Sequence, residues 1–356
     1  MDKLRNIIGK NQAQGAGGAG APAKARDLRL KLGVLAVLLL LPILLQNEPY
    51  YQEILTFVFL WGAMSGAWNI VGGYAGKFSL GHAAFFGIGA YTSGLLYTKL
   101  GISPWLGMFG GMLLSVIFAL LIGVVTLRLK GKFFALCTIA FGMLVEIMAV
   151  YLRGVTGGSE GLLIPYEPGF WNMTFASKVV WAYIFLALML GVYGVSRWLD
   201  KSALGYRLSA LREDEDAAEA LGVNTLAGKL SSITISAAIT ALGGSLFAQY
   251  FLWLEPNFCV SLDLSQQFAL ISIIGGMGTA IGPLVGAAII TPLQIFLRAA
   301  FGSAASGMSM MIYGFLLVVV VLYMPKGIVV EVRDRLRARR TKAVAGVVER
   351  EVSNVA

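Results

Sequence analysis

The sequence predicts an all-α polytopic membrane protein of about ten transmembrane helices, some of them broken, with the two halves related as an inverted repeat. Three observations predict it. Of the 356 residues, 57% are hydrophobic and 13% are charged, with a mean hydropathy of +0.76; a soluble domain carries about 25% charged residues. Apolar stretches of spanning length recur along the chain. Forty-four glycines suit close helix packing and interrupted helices, which a bilayer tolerates only where the freed backbone is buried in protein or lines a cavity.

A spanning helix needs about 20 residues, at 1.5 Å each, to cross roughly 30 Å of hydrocarbon. On that ruler the spans are 32–46, 53–72, 79–99, 103–127, 133–152, 178–198, 229–252, 263–278, 281–300 and 306–324. Ten is even, so both ends of the chain fall on one side. The net charge of +9 sits in those ends: seven basic against two acidic residues in 1–31, eight against four in 325–356. The positive-inside rule reads both as cytoplasmic, touching anionic lipid and not nucleic acid. Residues 1–31, rich in Gly and Ala without an apolar face, read as a disordered basic tail. Residues 32–324 form the membrane domain and 325–356 a basic C-terminal tail. The first apolar run has a basic front like a signal peptide, but Pro42 and Gln46-Asn47-Glu48-Pro49 follow it instead of a small-residue cleavage site. It reads as a retained anchor. The loops agree with the orientation. Arg128, Lys130 and Lys132, and then Arg197, Lys201, Arg207 and Arg212, fall inside; Glu48, Glu53 and the 154–177 loop fall outside.

Between the sixth and seventh spans lies the one long charged insertion, loop 199–228. Glu213, Asp214, Glu215, Asp216 and Glu219 put five carboxylates on a short helix, where Ala217, Ala218, Ala220 and Leu221 leave a small apolar strip. Acids at the front suit the helix dipole, and Gly222 supplies a stop. Two readings stay open: a solvated loop helix, or a docking helix whose alanines let a partner approach, with the carboxylates at the rim of its groove. The cytoplasmic placement favours the second.

Two glycine-dense stretches interrupt the spans, GGYAGKFSLGHAAFFGIGAY (72–91) and GGMGTAIGPLVG (275–286). Their spacing disfavours a smooth helix and allows close backbone approach. Spans 2–5 and 7–10 run in opposite senses, as an inverted repeat requires, and paired breaks of this kind mark transport paths. Gly73, Gly76, Ser79, Gly81, His82, Gly275, Gly276 and Gly278 are therefore the candidate path residues; glycines serving only tight packing is the alternative. His82, the one histidine, either contacts substrate or simply bonds a neighbour, and with no acid within two turns it completes no metal site. Glu146 is an ionisable group inside a span, a costly placement that is often functional. Lys77 sits in GGYAGKFS, which resembles a phosphate loop but fails: position 71 is Val and position 78 is Phe. The chain thus carries no nucleotide site. Cys137 and Cys259 lack CxxC spacing and read as free thiols.

The blocks GYAGKFSLGHAAFFGIGAY, TGGSEGL (156–162), ALREDEDAAEALGVN (210–224), GKLSSITISAAITALGGSLFAQY (228–250) and GGMGTAIGP (275–283), in that order, resemble the membrane permeases of branched-chain amino acid ABC importers, specifically the LivM-type subunit. The resemblance covers roughly residues 50–330. It implies half of a heteromeric pore in a bacterial inner membrane, with a second related permease, two cytoplasmic ATPase subunits that bind ATP and Mg, and a periplasmic binding protein. It also implies that Glu213–Gly222 is the coupling helix, inserted in an ATPase groove. One departure stands out: family members often carry an acid directly after the FG of the fifth span, where this chain has Met143, with Glu146 one turn later. Related permeases also move urea or short amides. An ion-coupled secondary transporter would need intramembrane ionisable groups, for which only His82 and Glu146 qualify. A membrane enzyme would need a nucleophile–base–metal constellation, and none is legible.

Overall fold

The computed structural model describes residues 20–126, 132–301, 311–312, 314–315, 318, 322–324 and 326–336. The chain divides into two compact units, 1–52 and 53–356. In the first, helix α1 runs Gly20–Leu44, with Pro42 inside it. Residues 20–31 are thus helical where the sequence reading expected a disordered tail; residues 1–19 lie outside the described residues. Only Leu32–Leu44 of α1 is apolar, too short for a span by itself.

Helix α2, Pro49–Asn69, opens at the end of the first unit and continues in the second. There it ends in a π-helical turn, Ile70–Tyr74. Then come α3 (His82–Leu100), α4 (Pro104–Thr126), α5 (Lys132–Tyr151), α6 (Lys178–Leu199), α7 (Ala203–Glu213), α8 (Glu215–Ala220), α9 (Thr225–Phe251), α10 (Leu262–Gly275) and α11 (Gly282–Phe301). Among the described residues seven helical stretches are long and apolar enough to cross a membrane, against the ten counted from sequence. The difference has three sources. The first apolar run is short, α3 is not among the seven, and the tenth expected span, 306–324, lies mostly outside the described residues. The chain is a multi-pass, all-α membrane protein with broken helices.

Its interior is built from small residues. On α4, Gly107, Gly111, Ser115, Ala119 and Gly123 face inward at four-residue spacing, while Leu106, Phe109, Leu113, Ile117, Leu121 and Val125 are exposed. Small residues let helix backbones approach in a bilayer, where large apolar side chains gain nothing by turning inward. Helices α3, α4 and α9 use this fully. A Cβ on Gly244 of α9 would collide with the Phe86 carbonyl, and one on Gly89 of α3 with that of Ala241. Ser245 Oγ donates to the Gly89 carbonyl at 2.9 Å, and Ser115 Oγ to that of Ala237 at 3.1 Å. Phe86, Phe247 and Phe268 pack beside Trp61 around this contact.

At one end of the bundle the TGGSEGL segment turns tightly. Gly157, Gly158 and Gly161 have φ of 80°, 60° and 82°. The turn delivers strand β1 (Leu162–Leu163) to antiparallel pairing with β2 (Trp253–Leu254), tying the loop after α5 to the end of α9. At this end Lys178, opening α6, is paired with Glu53 at 3.1 Å. The glycine breaks and loop 199–228 lie at the other end of the helices.

Candidate functional site

Loop 199–228 forms two helices, not one. Ser202 caps α7 by accepting from the Gly205 amide at 3.0 Å. Asp214, with φ −155° and ψ 113°, breaks the chain and caps α8, accepting from the Ala217 amide at 3.0 Å. Asn224 caps α9 in the same way. Gly222 leaves α8 with φ of 81°.

The two helices have distinct faces. Leu208, Leu211 and Ala218 are buried with Ile70, Tyr74, Ala75 and Leu199. Ala218 therefore packs inward, and the expected docking role of all three alanines holds no place for it. Asp216, Ala217, Glu219, Ala220 and Leu221 are exposed, Leu221 at 86%. Glu213 is also exposed and pairs with Arg212 at 3.1 Å. Glu215 corrects the expectation that the carboxylates line an outer rim. Its side chain is only 19% exposed and lies between Lys77 Nζ, at 2.7 Å, and Lys229 Nζ. Burial raises the pKa of this carboxyl, but the hydrogen bonds and charges of Lys229 and Lys77 outweigh it and hold the group below the ordinary carboxylate range. It is ionised at neutral pH.

The lysine of the failed phosphate loop is thus one arm of an ion-pair node, and the node sits on the first glycine break. Arg212 Nη1 donates to the Gly73 carbonyl at 3.1 Å. The second break, between the end of α10 and the start of α11, meets the first here. Gly278 has φ of 71°, and a Cβ there would fall against the Arg212 guanidinium. A Cβ on Gly73 would strike the Asn69 side-chain oxygen and the Gly278 amide. Asn69, fully buried, is the pin. Its Nδ2 donates to the Thr279 carbonyl at 3.0 Å; its Oδ1 accepts from the Gly278 amide at 2.9 Å and from Ser272 Oγ at 3.2 Å. Thr279 Oγ1 closes the second break by donating to the Gly276 carbonyl and accepting from the Gly282 amide. Residues 327–330 reach the same point: a Cβ on Gly327 would be 2.5 Å from Gly276 Cα. Tyr74 Oη donates to Asp200 at 2.7 Å, joining the first break to the end of α6.

Gly73, Gly76, Gly275, Gly276 and Gly278 are therefore brought together with Arg212 and Asn69. Ser79, Gly81 and His82 form a separate group, buried within the chain. Ser236 Oγ donates its one hydrogen to the Ala67 carbonyl at 2.6 Å, so it accepts from His82 Nε2 at 2.8 Å. His82 then carries its proton on Nε2, and Nδ1 accepts from Ser79 Oγ at 3.0 Å. A neutral imidazole satisfies every partner. Glu146 stands apart from both groups, in an open cleft of about 730 Å³ with Ile147, Val150, Tyr151, Arg153 and Asn257.

Sequence reasoning missed Asn69, Lys77, Arg212 and Lys229 as site residues. The available signals were two lone lysines flanking apolar spans and one amide beside a pair of glycines.

Residues 50–321 match the family described as the branched-chain amino acid transport system permease component. The chain belongs to this family. Among relatives, it is 27% identical over 315 residues to the high-affinity branched-chain amino acid transport system permease protein LivM of Salmonella typhimurium, covering 82% of this chain and 72% of that one. It is 26% identical over 256 residues to the nucleoside ABC transporter permease protein NupC of Lactococcus lactis, covering 69% and 78%. With the LivH permease protein of Escherichia coli it shares 24% over 280 residues, covering 73% and 88%. No solved structure matches the chain. The blocks at 73–91, 156–162, 210–224, 228–250 and 275–283 all fall inside the matched region, and the node just described draws on four of them, with Asn69 ahead of the first.

Proposed function

We propose that this permease-family chain is one half of the pore of an ATP-driven importer of branched-chain amino acids in a bacterial inner membrane. A second related permease completes the pore, two cytoplasmic ATPase subunits supply the energy with ATP and Mg, and a periplasmic binding protein delivers substrate. The observation that carries the reading is the exposed face of Asp216, Ala217, Glu219, Ala220 and Leu221 on a loop fastened directly to both glycine breaks. An apolar side chain as exposed as Leu221 on an acidic helix suits an occupant with an apolar groove and a basic rim. The Glu213–Gly222 segment is the element that docks in the ATPase, and the glycine breaks with Ser79, Gly81 and His82 border the path.

The test is uptake by the reconstituted complex. Leucine, isoleucine and valine should enter proteoliposomes only with ATP on the ATPase side, while urea, acetamide and uridine should not. Uptake of uridine instead would make the chain a nucleoside permease, like one of its relatives. Ala217→Trp should weaken co-purification of the ATPase subunits by about tenfold or more, as loss of a packed contact at an interface centre does. Wild-type co-purification and uptake in Ala217→Trp would leave α8 a solvated loop helix.

We assign ten spans with both tails cytoplasmic, and an inverted repeat of spans 2–5 on spans 7–10. The meeting of one glycine break from each half around Asn69 supports it, as does the packing of Gly327 beside the same break. Topology reporters fused after residues 30 and 340 should both report the cytoplasm. A reporter pair on opposite sides would exclude the ten-span arrangement.

A further inference from the structure

We propose that Glu215, Lys77, Lys229 and Arg212 form a latch that makes α8 and the two glycine breaks move as one body, so that the stroke received by the loop is delivered to the breaks themselves. The inference rests on the reading of α8 as the docking element.

The placement of the four residues carries it. Glu215 is the first residue of α8, directly before the exposed Asp216 and Ala217. Its side chain points the other way, to a lysine from each of two segments: Lys77, within the first break, and Lys229, in the opening turns of α9. Lys229 is 3% exposed, and the Lys77 side chain 13%. A surface pair of this composition would contribute little and slide freely. A buried pair, which cannot be broken without cost, does neither. Arg212, two residues before the α7–α8 hinge at Asp214, adds a directional bond to the Gly73 carbonyl and lies over Gly278. The apolar contacts beneath the loop, through Leu208, Leu211 and Ala218, are non-directional and would tolerate small shifts. The ion pairs and the arginine bond are directional and set the register. Asn69 then joins the first break to the second. Movement of α8 has a continuous hard-bonded route: Glu215 to Lys77 and Lys229, Arg212 to Gly73, Asn69 to Gly278 and Thr279.

The experiment separates docking from transmission. Glu215→Gln, Lys77→Gln and Arg212→Gln are made in the full complex, with partner permease, ATPase subunits and binding protein. ATPase co-purification, ATP hydrolysis and leucine uptake are each measured. None of the three alters Asp216, Ala217, Glu219, Ala220 or Leu221, and Lys77 lies outside the docking segment altogether, so the ATPase should stay bound at wild-type stoichiometry and hydrolyse ATP, in Lys77→Gln above all. Uptake should fall by about tenfold or more, so the ATP consumed per leucine rises by the same factor. Lys77→Gln leaves Glu215 paired with Lys229, and so tests transmission in a chain that folds even if Glu215→Gln does not. Glu215→Asp should recover part of the coupling. An unchanged ratio of ATP to leucine in Lys77→Gln and Arg212→Gln would overturn the latch. Loss of the ATPase from these complexes would also overturn it, by making the residues part of the docking face. Should the wild-type complex itself fail to hold an ATPase subunit, the docking reading fails, which is a different result from either.

Discussion

Gly73→Val is expected to abolish ATP-driven uptake and to lower the thermal stability of the purified permease. The first atom beyond Cα at this position has no room. It would meet the Asn69 side-chain oxygen and the backbone amide of Gly278, two groups bonded to each other at 2.9 Å. Neither neighbour is the far end of a flexible chain: one is an amide close to its own backbone, the other is backbone itself. Forcing carbon into such a contact costs about 1–3 kcal/mol. Driving Gly278 away also breaks the bond from its half-buried amide to Asn69 Oδ1, which costs about another 1 kcal/mol. Gly73 lies within the π-helical turn at 70–74. The comparison is Gly191→Ala on α6. Nothing lies within 4 Å of a Cβ there, and alanine favours a helix over glycine by about 1 kcal/mol. Uptake and unfolding temperature of Gly191→Ala should match wild type or exceed it. Wild-type values for Gly73→Val would mean that the two breaks do not meet in the working protein.

The class of fold was legible because its signals are compositional. Charge depletion, membrane-length apolar runs and basic ends act residue by residue and need no knowledge of contacts. The count of spans was less legible. Apolar length alone marks α4 and α5 clearly, but α3 is dense with Gly, Ala and Tyr, its first half, 82–91, is buried by protein, and the ruler used for lipid does not measure that. The two glycine breaks were visible as breaks, since glycine's conformational freedom is written in the sequence. What they touch was not. Asn69 and Thr279 are 210 positions apart, and no local pattern announces a pair at that separation. The acidic loop shows the same limit on a smaller scale. Five carboxylates and three alanines look equivalent along the chain, yet a single hinge at Asp214 turns Glu215 and Ala218 inward and leaves Ala217, Glu219 and Ala220 outside. A charge run read as a rim was in part a buried ion-pair node. His82 was legible down to the choice between two roles, and the bonds to Ser79 and Ser236 place it among neighbours that a neutral ring satisfies.

Asn69→Leu should uncouple the two breaks while leaving the docking loop in place. Leucine has nearly the shape of asparagine but offers neither donor nor acceptor. Three groups lose their partner: the Gly278 amide, the Thr279 carbonyl and Ser272 Oγ. Asn69 is fully buried, and its bonds to Gly278 and Thr279 are half-buried, so water replaces them only in part. Each stranded group costs about 1–3 kcal/mol, although the serine can turn back to a carbonyl of its own helix. The second break, whose φ of 127° at Gly276 and 71° at Gly278 needs outside bonds to persist, should loosen first. Loop 199–228 does not contact Asn69 through any of these bonds, so its ion pairs and the ATPase contact should survive. The expected result is leucine uptake below about one tenth of wild type, as one to two such penalties imply, with the ATPase still bound. Asn69→Asp should fall between the two. It keeps an acceptor for Gly278 and Ser272 and loses the donor to Thr279. Its new charge would be drawn toward Arg212, which already sits beside Gly73 and Gly278. The measurements are uptake in proteoliposomes, co-purification of the ATPase, and cysteine accessibility at Met277 on the exposed side of the second break. If Asn69→Leu transports normally and Met277→Cys reacts no faster than in the wild-type background, the pin is not needed and the breaks are held together by packing alone.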